Sequence, residues 1–434
     1  MYTYRRFRSR LDNDQLKIIL WMCGVVILAA LGIYYWMIRY SLFGKLWLVT
    51  WSNWPFPIVL ILLGAWGIYW KWRKRDEFSW GELLLYCILL PLVAYPFAAG
   101  SYFFLTDLHD TEIWNGYVTE AQYYESYTTK HTSTDKDGHT TTTYVYHPPE
   151  WQLLTNNVLV GTGEAETVSV DSAVYRRFVS LFGNEEKKLL FHANQSSVGD
   201  GNMFFVKWNR QESTKIPTAV EHPFVNYLRA SHSIMKTRGA MSGFQNFLVH
   251  YPRVHGGMHG AIELDRVLTG GISVPMEWQT EVSRLLNREL MELGKHKEVN
   301  LLVYVVGTGD INFRHALHEF WDGGKQNDVI VIVGASSFPA IDWVDVIAWT
   351  DHELFKETLK DRVRALKSLE NAGALVSAIV GQAQASGEEG FKRKPMEDYQ
   401  YLVAEIRLPV WATFLLIIVV IGLTIPFLMF FCNN

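Results

Sequence analysis

Asp310, Asp351 and Glu353 each stand just beyond an apolar, strand-like run, and carboxylates gathered at strand ends can hold a divalent cation such as calcium through oxygen ligands. Ser336 and Ser337 follow a further run of the same kind, and His352 lies between the last two acids. The solvated rim of a sheet accounts for the same residues, so both readings stay open. His315 and His318, followed by Glu319, have the i, i+3 spacing that puts two rings on one helix face, where a metal would need a third ligand. A solvated helix face is the plainer account. His255 and His259, in VHGGMHG, are either metal-capable or simply part of a glycine-rich loop. In WDGGKQND, residues 321–328, Gly323 and Gly324 permit the positive φ of a helix C-terminus. Lys325, Asn327 and Asp328 then either line a ligand cleft, or Asn327 and Asp328 bond the amides of the turn while Lys325 is solvated. Ligands in open α/β sheets sit at the carboxyl ends of strands, and this segment precedes its strand, which favours the turn. For covalent catalysis the sequence offers no G-x-S-x-G elbow, no P-loop and no G-x-G-x-x-G after a strand. Cys23, Cys87 and Cys432 all lie within or beside apolar runs, so the polar middle holds neither disulfides nor thiolate metal sites.

The elements that must position these residues belong to two kinds of chain. Of 434 residues 49% are apolar and only 19% charged, against about 25% charged in ordinary soluble domains, a skew that points to a bilayer. The net charge of −4 gives no argument for a nucleic-acid partner. Four stretches, 16–38, 56–70, 82–105 and 408–431, are apolar enough to be read as transmembrane helices, the second being short for a span and needing its Trp residues at the interface. Pro91 and Pro96 fall inside the third, where neighbouring helices can satisfy the freed carbonyls. Basic residues set the orientation, because cytoplasmic flanks carry the Lys/Arg excess. Arg5, Arg6, Arg8, Arg10 and Lys17 precede the first span, and Lys71, Arg73, Lys74 and Arg75 follow the second, whereas the first connection has only Arg39 and Lys45. Both termini are thus expected in the cytoplasm and 106–407 on the exoplasmic side, the periplasm if the cell is Gram-negative.

That middle divides further. Residues 106–273 read as a β-rich domain, with a Thr/Tyr hairpin about a turn at 135–138, short strands near 166–170 and 202–208, and a helix near 172–182. The stretch from His222 has a helical spacing, and 239–271 is glycine-rich without a period. Residues 274–407 alternate amphipathic helices with the Val-rich runs VNLLVYVVG, DVIVIVG and AIDWVDVIAW, which predicts an α/β domain with a mainly parallel sheet and helices on both faces. The whole is therefore a membrane-anchored α+β protein.

The element order, and above all a helix ending in Trp321 followed by GGKQND and an apolar strand, resembles the TPM domain, a family of small α/β modules that are usually membrane-tethered and exoplasmic or lumenal. Its motif runs Trp-Gly-x-Gly-Lys, a few polar residues, Asn-Gly, then a strand. Trp321, Gly324, Lys325 and Asn327 match, while Asp322 and Asp328 stand in place of its first and last glycines. The resemblance covers about 275–390. A family-like sheet order implies that the strand-end residues from Asp310 to Glu353 converge. Some members are weak acid phosphatases, others repair factors or receptor-associated proteins. The acidic, glycine-rich segment that follows the family's motif strand is replaced here by ASSFPAIDWVDVIAWTDHE. The plan of three spans, an outer domain and a last span also resembles uncharacterised membrane proteins of bacteriophages and their hosts. The expected function is an interaction or scaffold role in the lipid bilayer, self-associating or bound to an envelope protein, with a weak phosphatase-type hydrolase as the alternative. A channel is disfavoured, since the spans carry charges only near their ends, at Lys17 and Glu82.

Overall fold

The computed structural model describes residues 13–73, 79–134, 140–158, 165–190, 195–196, 201–208, 215–231, 239–256 and 262–433. The chain begins with helices α1 (Asn13–Arg39), α2 (Phe43–Ser52), α3 (Pro55–Arg73) and α4 (Trp80–Leu105). Strands β1 (His109–Tyr124), β2 (Tyr127–Thr134), β3 (Thr140–His147), β4 (Glu150–Val158) and β5 (Ala165–Val170) lead to α5 (Ser172–Phe182). Then come β6 (Glu185–Lys188), β7 (Gln195–Ser196), β8 (Met203–Lys207), β9 (Pro217–Val225), α6 (Tyr227–Ala230), β10 (Val254–Gly256), β11 (Ile262–Leu264) and β12 (Val267–Gly270). The last part holds α7 (Met276–Lys297), β13 (Asn300–Val306), α8 (Phe313–Phe320), β14 (Asp328–Gly334), β15 (Trp343–Ala348), α9 (Glu353–Ala365), α10 (Ala372–Gln384) and α11 (Val410–Asn433). These form two compact units, one of Met1–Asp110, Pro223–Ile234 and Pro395–Asn434, the other of Thr111–His222 and Met235–Lys394.

In the first unit α1, α3 and α4 are long and apolar enough to cross a membrane. A fourth candidate arises if the 3-10 helix Met396–Glu405 and the helix from Val410, bent by 91°, count as one span. α4 starts on a reciprocal cap: Ser79 Oγ accepts from the Glu82 amide at 3.1 Å, and the Glu82 carboxylate accepts from the Ser79 amide at 2.6 Å. Glu82 is thus a helix-start device rather than a charge carried into the span. The first connection is itself helical, α2, burying Leu46 and Val49. Two segments expected in the polar domains join this unit. Phe224, Val225, Tyr227 and Leu228 are buried there, as are Met396, Leu402 and Val403, and Ser231 Oγ donates to Glu405 at 2.6 Å. The helix expected from His222 shrinks to α6, because 217–225 instead forms strand β9.

In the second unit β1 is the spine of a sheet ordered β5-β4-β1-β8-β6, with β9 also on β1. An irregularity between Val118 and Glu120 shifts the alternation by one, so Val118 and Ala121, three positions apart, share a core with Leu153, Val206 and Phe178 of α5. Asp171 caps α5, accepting from the Val174 amide at 2.9 Å. A separate ribbon is ordered β3-β2-β7; the 135–138 turn lies outside the described residues.

The α/β sheet is ordered β12-β13-β14-β15. β12, β13 and β14 run parallel, in register from Leu301 opposite Val329 to Val305 opposite Val333. β15 runs antiparallel to β14, with Val329 opposite Ala348 and Gly334 opposite Trp343. The sheet is mainly parallel, as expected, and β15 is the exception because the 335–342 connection is shorter than the dozen or so residues a parallel crossover needs. Strand β12 precedes the expected domain start at 274. Val303, Val305, Val331, Val333 and Val344 face α7, α9 and α10. Their neighbours Leu302, Tyr304, Ile330, Ile332 and Trp343 face α8 and the 244–254 loop.

Candidate functional site

The 321–328 segment is a helix end and a strand start joined through a strained turn. Asp322, Gly323 and Gly324 all take positive φ, 49°, 87° and 80°. A Cβ on Gly324 would lie 2.9 Å from Ile330 Cδ1 and 3.1 Å from Asp328 Oδ2, so glycine is required by space as well as by φ. Trp321 is buried under the sheet and donates from Nε1 to the Val249 carbonyl at 2.8 Å. The Gly323 carbonyl accepts from Trp349 Nε1 at 2.7 Å. Asn327 Nδ2 donates to the Ile113 carbonyl at 2.7 Å, which ties the turn to β1. Lys325 Nζ lies 5.4 Å from the Tyr251 ring centroid.

Asp328 joins this turn to a buried polar network. Its Oδ2 accepts from the Lys325 amide at 2.7 Å, and its Oδ1 accepts from Asn300 Nδ2 at 2.7 Å and Tyr251 OH at 3.0 Å. Asn300 Oδ1 in turn accepts from Arg266, whose other donors reach Asn287 Oδ1 at 2.8 Å and Asn115 Oδ1 at 2.6 Å. A cation, an amide and an anion are thereby linked head to tail, and Arg266 is only 1% exposed. Burial pushes the Asp328 carboxyl up to about 6 even though Asn300, the Lys325 amide and Tyr251 all oppose it. Burial likewise lowers the Arg266 guanidinium to about 10 against the pull of Tyr251 and Asp328. Sequence reading found Asn327 and Asp328 but missed Arg266, Asn115, Asn287 and Tyr251. The one available signal was a polar residue directly abutting a wholly apolar run, as at Asn300.

The strand-end acids do not converge. Asp310 follows β13 at one end of the sheet, beside Ser336 and Ser337, which follow β14. Asp351 and Glu353 follow β15, and the antiparallel course of β15 carries them to the opposite end, beside Asp328. Asp310 Oδ1 accepts from the Asn312 amide at 2.9 Å, Asp351 pairs with Lys394 at 2.5 Å, and Glu353 pairs with Lys356 at 2.6 Å. Among the described residues no group of three His, Cys, Asp or Glu side chains is arranged to hold a metal. His315, His318 and Glu319 lie on α8 and just within it; burial, with Arg314 and His315 nearby, lowers the His318 ring. His255 Nε2 pairs with Asp265 at 3.2 Å. Desolvation would lower that ring, but the Gly256 carbonyl and Asp265 outweigh it and raise its pKa. His259 lies outside the described residues.

Two further ion clusters went unread in the sequence. Buried Asp345 pairs with Arg314 at 3.0 Å and Lys360 at 3.2 Å. Desolvation opposes ionisation there, yet the Val346 amide and Arg314 hold the carboxyl below its ordinary range. Arg393 bridges Glu112 at 2.5 Å and Glu298 at 2.8 Å, and Glu112 also accepts from Trp114 Nε1 at 2.9 Å. Both clusters fasten elements to one another.

The exposed candidate is the β2–β3 ribbon, paired from Tyr127 opposite His147 to Thr134 opposite Thr140. β3 has β2 on one side and, among the described residues, no strand on the other. All of β3 but its last residue is exposed, and Tyr144 and Tyr146 are 60% and 59% exposed. An uncharged, Thr-rich and aromatic open edge can pair with another chain. No family model, no curated protein and no solved structure matches the chain.

Proposed function

We propose that the chain is an integral protein of the cell's inner membrane, with both termini cytoplasmic, that holds its second unit on the exoplasmic side as an interaction and scaffold domain. Its copies join through the open edge of β3, alone or together with an envelope protein. The membrane part of this reading is supported by the length and apolarity of α1, α3 and α4 and by the basic residues Lys71 and Arg73 closing α3. The 321–328 segment supports a TPM-like character for the α/β half.

The open edge of β3 carries the reading. Natural edge strands are usually protected by charge, proline or a covering element, and TTTTYVYH has neither charge nor proline. β7 pairs with β2 only at Thr128 and Thr129, so most of the ribbon has two strands, an arrangement marginal by itself in water, and strand addition offers both the missing ladder and a surface for Tyr144 and Tyr146. The test is the mass of the full chain in mild detergent. An oligomer is expected, and Tyr144→Lys with Thr142→Lys should convert it to monomer with an unchanged melting temperature. A monomeric wild type, or an oligomer indifferent to both lysines, defeats the β3 interface. A reporter active only in the cytosol, fused at residue 250, should stay silent; activity there defeats the exoplasmic placement.

A further inference from the structure

Within the first unit, the corner between α2 and α3, the last turns of α4 and the bend leading into α11 enclose a cavity of about 550 Å³, a size typical of small-ligand sites. Its lining contains one charged residue, Arg407, and no carboxylate. Arg407 is exposed and has no ion-pair or hydrogen-bond partner among the described residues. Asn53 holds the cavity's corner in place, donating to the Val49 carbonyl at 2.7 Å and the Val403 carbonyl at 3.5 Å. Tyr102, also in the lining, is fully buried, and its hydroxyl has no hydrogen-bond partner among the described residues. Ser52 and Thr413 add hydroxyls, while Phe414 and Ile417 extend the lining onto apolar α11. Phe414 is 62% exposed.

We propose that this cavity binds one phospholipid, its phosphodiester on the Arg407 guanidinium and an acyl chain along Phe414 and Ile417. A planar guanidinium matches phosphate oxygens with paired donors. With no carboxylate in the lining, that cation has no internal competitor. Basic pockets between spans are suited to lipid headgroups, and the apolar surface of α11 gives the chain somewhere to lie. The inference rests on the membrane reading of the first unit and is independent of the β3 interface.

The test uses the full chain, extracted in non-ionic detergent, stripped of co-purified lipid and observed by native mass spectrometry. Phosphatidylglycerol, diacylglycerol without a phosphate, and inorganic phosphate as competitor are the probes. One phosphatidylglycerol per chain should be retained, roughly tenfold or more over diacylglycerol, as expected for hydrogen bonds to a charged group, and inorganic phosphate should not displace it. Arg407→Gln should reduce retention to the diacylglycerol level, and Ala404→Trp, which fills the cavity, should remove lipid altogether. Arg73→Gln, at the other end of α3, should change nothing. Equal retention in wild type and Arg407→Gln would mean annular lipid only and overturn the site, and displacement by inorganic phosphate would reassign it to a free anion. A chain released from membranes by alkaline carbonate overturns the membrane reading and the site together. One that stays in the membrane yet keeps no phosphatidylglycerol overturns the site alone.

Discussion

At the amino end of β14, Asp328, Asn300 and Arg266 are buried and hydrogen-bonded to one another in series. At its carboxyl end Ser336, Asp342 and Asp310 are exposed and bond only to near neighbours in the chain, the Ser336 amide to the Asp342 carboxylate and Asp310 Oδ1 to the backbone and side-chain amides of Asn312. Position in a parallel sheet would lead one to look for function at the carboxyl end. The dense polar chemistry lies at the other end and is architectural: it joins β1, β13, β14, α7 and the residue before β12 through buried side chains. A conspicuous motif and a perturbed carboxyl therefore do not by themselves mark a site, because a buried crossing of strands needs the same residue types.

The contrast can be broken most severely at Arg266. Arg266→Ala leaves the Asn115 and Asn287 amide oxygens without their donor and the Asp328 charge uncompensated, so a loss of about 3–5 kcal/mol is expected, read as early melting and protease cleavage of the second unit in the full chain. Next comes a pH effect. The folded Asp328 carboxyl titrates near 6 against an ordinary value of 3.8, so the native state binds more protons between those values. Stability should then fall as pH rises from about 4 to about 6, by on the order of 3 kcal/mol. In Asp328→Asn that fall should be absent from a series of melts across the window. Gly324→Ala meets both a positive φ and Ile330, and about 1–3 kcal/mol should be lost; a melt unchanged within error would show that the turn relaxes. Smallest are the exposed acids: Asp310→Asn and Glu353→Gln should each shift stability by less than about 0.5 kcal/mol. A melt of the wild type that rises at millimolar calcium and no longer does so in these variants would restore a cation site and remove the contrast.

Much of the fold was legible where a periodic pattern was long. The runs at Asn300–Val306 and Asp328–Gly334 became fully buried strands, and helix α5 matches its expected bounds near 172–182, its start fixed by the Asp171 cap. Strand β15 was found but its direction was not, since direction depends on the length of the 335–342 link rather than on the strand's own residues. The His222 stretch went astray because its apolar spacing suits a strand on β1 as well as a helix. Of the candidate site residues, Gly323, Gly324 and Asp328 were recognisable as a turn from local chemistry. Arg266 and Asn115, 151 positions apart, share a network that no local window can contain.

By itself the sequence determined which stretches are apolar enough for a bilayer, where the Val-rich strands lie and where the chain must turn, because each depends on residues within a few positions of one another. Only the tertiary structure decided that the acids after β13 and β15 stand at opposite ends of one sheet, that Arg266 and Asp328 are joined through Asn300, and that Arg407 borders a cavity. Those facts depend on how distant segments cross, and the energies that select a crossing come from burial and pairing among residues far apart in the chain.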